Sequence, residues 1–268
     1  MKLLPVCFLL TSLLFIIACN DNDTTADPPV PQTPVLSYSI LSVRPHDTSW
    51  FTQGYEFHQD LLYIGTGNYG VSKLMQVQPA TGKVVKQVSL PDKEFGEGIT
   101  ILNDTLYQLT WKEHLVHTYH AATLQPGRSM TLNGEGWGLT NDGSQLVVSD
   151  GSNRLYFYEP ATFRLAKTVS VMESGTPAVN LNELEYVNGF IYANQWQYNS
   201  VLKIDPASGN VVARIDFTDL VNRVQSENPY LDTRNSAVLN GIAYHPASKK
   251  FWITGKLWPH AYEVDFQH

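Results

Sequence analysis

The sequence predicts an all-β fold: a five-bladed β-propeller of four-stranded antiparallel blades, its ring closed by an N-terminal strand. Three observations carry this expectation. One hairpin pattern recurs five times, a second pair of strands separates the copies, and the first four copies repeat every 40 to 45 residues. A chain of 268 residues, 43% hydrophobic and 16% charged, is long enough for one large β domain.

The five hairpins read TQGYEFHQDLLYIGTG from Thr52, GEGITILNDTLYQLTW from Gly96, EGWGLTNDGSQLVVSDG from Glu135, LNELEYVNGFIYANQW from Leu181 and LNGIAYHPASKKFWITGK from Leu239. Alternating β-branched and aromatic residues flank a polar turn such as Asn103-Asp104, which is the pattern of a hairpin. Gly54, Gly98, Gly138 and Glu183 occupy one equivalent place at spacings of 44, 40 and 45, and Gly241 follows after 58. The longer interval predicts an insertion of about a dozen residues in FTDLVNRVQSENPYLDTRNS.

Between the copies, segments such as KLMQVQPATGKVVKQVSL and VLKIDPASGNVVARIDF each hold two further strands around a turn. Only HAYEVDFQH remains after the fifth hairpin, one strand short. LSYSILSVRPHD, residues 36–47, is expected to supply the missing strand and so remove the open edges of the ring. A six-bladed ring with one degenerate repeat and a β-sandwich are the competing folds. A sandwich needs no period of this length.

Residues 1–18 read as a signal peptide: a positive start at Met1-Lys2, then the apolar run LLPVCFLLTSLLFIIA. Ile16-Ile17-Ala18-Cys19 resembles the lipobox of bacterial lipoproteins, which implies lipidation at Cys19. An ordinary secretory signal is the alternative. The polar, Pro-rich segment that follows suits a flexible tether over residues 19–35, with the propeller domain at 36–268. An exported bacterial lipoprotein is expected, held to a membrane only by its lipid and facing the periplasm or the cell exterior. Both cysteines, Cys7 and Cys19, lie in or at the end of the signal, so the mature domain offers none for a disulfide, thiolate catalysis or metal ligation. A net charge of −7 with no long Lys/Arg run argues against nucleic acid and against a basic membrane-binding patch.

The repeat alignment singles out two sets of positions. The residue before the repeated glycine is Gln53, Glu97, Trp137, Asn182 and Asn240; the residue ending the second strand is Gly67, Trp111, Gly151, Trp196 and Lys256. In an antiparallel hairpin the start of one strand lies beside the end of the next, so both sets collect at one mouth of the central channel. Positions that served only the strands would be apolar and alike from blade to blade. These are chemically diverse, as the parts of a site would be. A carboxylate among indoles is desolvated, which raises its pKa and suits a general acid–base near neutral pH. The rival reading has the tryptophans plug the channel while Glu97 pairs with Lys256.

The motifs FTQG, FGEGIT, LTWK, GWGL, LNELEY…NQW and TGKLWP resemble, in that order, those of the plant and bacterial glutamine cyclotransferase family, over roughly residues 36–266. Any one motif is weak; six in order are specific. The resemblance implies a five-bladed propeller and the conversion of N-terminal glutaminyl residues of peptides or proteins to pyroglutamate, with release of ammonia. It places the catalytic glutamate at Glu97 and an aromatic pocket at Phe51, Phe95, Trp111, Trp137 and Trp196. Polar contacts fall on Gln53, Asn182 and Lys256, any of which could donate to an oxyanion; Lys256 joins Glu97 in the catalytic pair. It implies a metal-independent reaction with no required cofactor, in a protein expected to be monomeric. A lipid-tethered propeller that binds peptides or glycans without catalysis is the alternative.

Three other signals are weaker. His114, His117 and His120 are spaced by three, which on a strand alternates their faces, so no metal site is expected there. NDGS, LNDT and DPASG resemble acidic calcium loops but are ordinary hairpin-tip chemistry, leaving a structural calcium as a minor expectation. GTGNYG opens no helix, which argues against phosphate binding.

Overall fold

Alternating residues become paired strands because each hairpin has a turn that suits the strand twist. Asn103 and Asp104 both adopt positive φ, +50° and +59°. This is the primed turn geometry that matches right-handed strands, and it sets Leu102 opposite Thr105. Asn188 and Gly189 repeat it at +52° and +88°.

The computed structural model describes residues 32–268. The segment expected to be a signal peptide, most of the expected tether and Cys19 lie outside the described residues. The first blade runs outward from Thr52–His58 through Leu61–Thr66 and Lys73–Gln78 to Lys83–Ser89. The second begins at Gly96–Leu102, the third at Leu139–Asn141 and the fourth at Leu181–Val187. The fifth, Leu239–His245, Lys250–Gly255 and His260–Asp265, takes Ser39–Pro45 as its outer strand, with Ile40 opposite Val264 and Val43 opposite Tyr262. Consecutive inner strands touch in a closed cycle, the fifth blade's lying against the first blade's. Five blades and an N-terminal closing strand are what the repeat count anticipated.

The repeated glycine is a spacing device. A Cβ on Gly98 would lie 2.5 Å from the Leu139 nitrogen of the next blade, so a side chain there would push two inner strands apart. In the fourth copy Glu183 occupies that place instead. It accepts hydrogen bonds from the Tyr55 N–H at 3.2 Å and the Ile242 N–H at 2.7 Å, tying blades one and five across the channel.

The insertion before the fifth hairpin forms a helix, Thr218–Glu227, that buries Leu220, Val221 and Val224 against Phe217, Trp258 and Tyr262. The fold corrects one boundary. Val35–Leu36 pairs in parallel with the outer strand of blade four, Val35 opposite Arg214. Pro34 accepts the Arg214 N–H at 2.9 Å, and Thr33 Oγ1 lies 3.1 Å from Ser174 Oγ. Residues 33–35 therefore belong to the propeller and not to the tether. The open edge of an outer strand binds extended backbone whatever the side chains, which is why composition placed the boundary too late.

Candidate active site

The site residues sit where the hairpins slip out of register. In blade two Gly96 pairs with Thr110 and Ile99 with Gln108, leaving Glu97 and Gly98 opposite Leu109 alone. The same one-residue bulge occurs at Gln53, at Asn182-Glu183 and at Asn240-Gly241. A bulge breaks the strict alternation of a strand and re-aims the side chain beside it. Gln53, Glu97 and Asn182 thereby line one cavity of about 420 Å³ at the channel mouth, together with Lys256.

Aromatic rings from four blades form its wall. Phe51 meets Phe95 edge-on at 6.1 Å between centroids, Phe95 meets Trp111 at 5.5 Å, and Trp137 meets Trp196 at 5.7 Å. Gly151, at φ +80°, leaves room for the Trp137 ring, which a Cβ there would approach to 2.7 Å. Phe51, Gln53, Phe95, Glu97, Trp111, Trp137, Asn182, Trp196 and Lys256 all line this cavity, whereas Asn240 does not, and Cys19 lies outside the described residues.

The polar groups are wired in one direction. Asn240 donates from Nδ2 to the Thr52 carbonyl at 2.9 Å and to Gln53 Oε1 at 3.2 Å. That fixes the Gln53 amide so that its Nε2 donates to Glu97 Oε1 at 3.0 Å. Asn240, expected at the mouth, is fully buried beneath it and orients Gln53 instead. Glu97 Oε2 has no hydrogen-bond partner among the described residues, and neither has Asn182 Oδ1.

Burial holds the Glu97 carboxyl well above the usual carboxylate range; the Lys256 cation opposes this, and Glu135 and Glu113 add to it. Burial also lowers Lys256 to about 8, against the pull of Glu97. The two are not an ion pair: Lys256 Nζ makes no salt bridge or hydrogen bond among the described residues and stands 4.6 Å from the Phe51 ring centroid. The channel-plug reading, which required that pair, has no support in the geometry.

Three contributors were missed. Asn68 and Asn235 line the rim from loops, the latter delivered by the insertion that carries the helix. Glu135 accepts both the Trp111 and Trp137 indole N–H groups on one oxygen, at 2.8 and 3.1 Å. Glu135 opens the third copy, two residues before Trp137, at the place held by Phe51 before Gln53 and by Phe95 before Glu97.

The weaker signals resolve as turn and surface chemistry. His117 Nε2 contacts Glu94 at 2.6 Å, His114 contacts the Gly134 carbonyl at 2.8 Å, and His120 is exposed. Asp142 and Asp205 are engaged by backbone N–H groups of their own turns. No group of three or more His, Cys, Asp or Glu among the described residues is arranged to hold a metal ion.

The sequence profile of the family described as "Glutamine cyclotransferase" matches residues 10–266. The chain belongs to the glutamine cyclotransferase family. It is 35% identical over 227 residues to a curated glutaminyl-peptide cyclotransferase of Arabidopsis thaliana, covering 84% of this chain and 70% of the relative. The crystal structure of Myxococcus xanthus glutaminyl cyclase superposes with a TM-score of 0.82 at 40% identity, covering 88% of this chain and 99% of that one. As a glutamine cyclotransferase family member of this fold, the chain has its Glu97–Gln53–Asn240 relay and aromatic wall at one end of a five-bladed ring.

Proposed function

We propose that the chain is a glutaminyl-peptide cyclotransferase, converting N-terminal glutaminyl residues of peptides and proteins to pyroglutamate with release of ammonia. The observation that carries this is Glu97: one buried carboxyl with a raised proton affinity and one oxygen unpartnered, set in an aromatic cavity. The substrate's α-amine attacks its own γ-carboxamide carbon. Glu97 as carboxylate takes the proton released by the amine, then delivers it to the departing NH2 as the tetrahedral intermediate collapses. A carbon–nitrogen bond forms in the five-membered lactam, another breaks, and ammonia leaves.

The oxyanion of the intermediate is met by Lys256, whose ammonium is buried at the cavity and has no carboxylate within ion-pair distance among the described residues. Gln53 and Asn182 orient the amide, and the rings hold the side chain bent toward closure. Proton transfer and charge stabilisation are both supplied by side chains, which supports a reaction needing no metal or cofactor.

Ammonia release from glutaminyl dipeptides with a free N-terminus, measured with and without EDTA, tests this on protein beginning at residue 32. Turnover that survives EDTA is expected. A folded protein inactive on every N-terminal glutamine substrate would favour a non-catalytic peptide- or glycan-binding propeller.

We also infer from the sequence that Cys19 carries a lipid and that the enzyme is exported and membrane-anchored, facing the periplasm or the cell exterior. Cys19→Ser is expected to move the protein from the membrane to the soluble fraction, and full membrane retention would overturn the anchor.

A further inference from the structure

The aromatic wall is continuous except at one point. Ring contacts run from Phe51 through Phe95 to Trp111, and from Trp137 to Trp196, but none joins Trp111 to Trp137 among the described residues. The Gly136 N–H donates to the Trp111 carbonyl at 3.1 Å, so the backbones of the two blades meet beside these indoles while the rings themselves do not touch. Glu135 closes the gap. Its Oε2 accepts the Trp111 Nε1–H at 2.8 Å and the Trp137 Nε1–H at 3.1 Å. Lys112 completes the cluster, with Nζ 4.0 Å from Glu135 Oε1 and 3.7 Å from the Trp111 ring centroid.

We propose that Glu135 is a positioning residue for the cyclisation, a carboxylate latch that joins the wall of blade two to that of blade three and sets how tightly the substrate side chain is held. An ionised carboxylate suits the task, because one oxygen can accept two charge-assisted hydrogen bonds. A carboxamide in its place keeps one carbonyl acceptor but loses the charge.

That charge has a second consequence. Glu97 is faced by Lys256 from blade five, by Glu135 from the loop leading to blade three and by Glu113 from the loop after the second strand of blade two. Glu135 adds negative charge to this surround, so its neutralisation makes Glu97 easier to ionise. A residue that merely filled space would leave the pH dependence of turnover in place.

The proposal rests on the cyclotransferase reading, and the test separates the two. In the full-length chain, Glu135→Ala is expected to raise KM for a glutaminyl dipeptide about tenfold, the effect of losing charge-assisted hydrogen bonds. The same variant should make tryptophan fluorescence more accessible to acrylamide. Glu135→Gln is expected to raise KM less and to move the acid limb of the kcat/KM profile to lower pH. Wild-type KM and quenching in Glu135→Ala, or an acid limb that stays put in Glu135→Gln, would overturn the assignment. If the alanine variant does not fold, the glutamine variant decides by its pH limb and its quenching. The quenching measurement needs no turnover, so an inactive wild type would sink the reaction while the latch is still judged.

Discussion

Glu97→Gln is expected to lower kcat by about a thousandfold, within the range that positioned acid–base groups contribute, and to raise the thermal midpoint at neutral pH. The activity loss follows because the amide can neither accept the amine's proton nor return it to the leaving nitrogen. Folding is preserved because the glutamine carbonyl still accepts the hydrogen bond that Gln53 Nε2 gives to Glu97 Oε1. The stability gain has a definite pH dependence. Burial raises the Glu97 pKa above its unfolded value, so folding favours the protonated form. That contribution is whole below the ordinary carboxylate range and is lost as pH rises through the raised pKa. Glutamine does not ionise, so the variant's advantage is nil in acid and greatest above that pKa. Thermal melts across pH beside single-substrate kinetics check both halves, and near-normal kcat would remove Glu97 from the acid–base role.

The second large effect is expected from Lys256→Met, which keeps the length and apolar stem but deletes the charge. Loss of one oxyanion donor lowers kcat by about a hundredfold or more. The pH profile of kcat/KM, which reports the free enzyme, should change at both ends. The alkaline limb set by Lys256 near 8 disappears. Because the Lys256 cation lowers the Glu97 pKa, its removal moves the acid limb to higher pH. This is opposite in sign to the shift expected when Glu135 is neutralised. An alkaline limb that survives the substitution would assign it to the substrate amine and leave Lys256 without the proposed role.

Much of this was legible in the sequence, for physical reasons that also explain the exceptions. A repeat must bury the same strand faces in every blade, so Gly54, Gly98 and Gly138 recur at one place and the residues beside them stand out by differing. Register is less visible. Nothing in the spelling of Gly96-Glu97-Gly98 announces that two residues will oppose one, and the bulge is what turns Glu97 toward the cavity. Asn240 was misplaced for the same reason: position in a repeat fixes the end of the channel but not the depth. Glu135 was overlooked because it precedes the aligned segment's key column by two places and acts on indoles, not on the reaction itself. The helix Thr218–Glu227 was visible only as surplus length, since its apolar residues take their meaning from the core they meet.

The outer strand of blade five comes from residues 39–45 and its neighbour from residues 260–265, so the seam of the ring joins the beginning of the chain to its end. A ribosome makes these segments in the worst order for closure: the first is finished long before its partner exists. Earlier blades can form as local units, but the seam must wait for the last stretch of chain, a contact of very high sequence separation. The cavity draws residues from all five blades, with Lys256 among the last to be made. Catalytic competence therefore arrives late and all at once, and a chain cut short between residues 196 and 260 holds the whole aromatic wall without the strand that closes the ring.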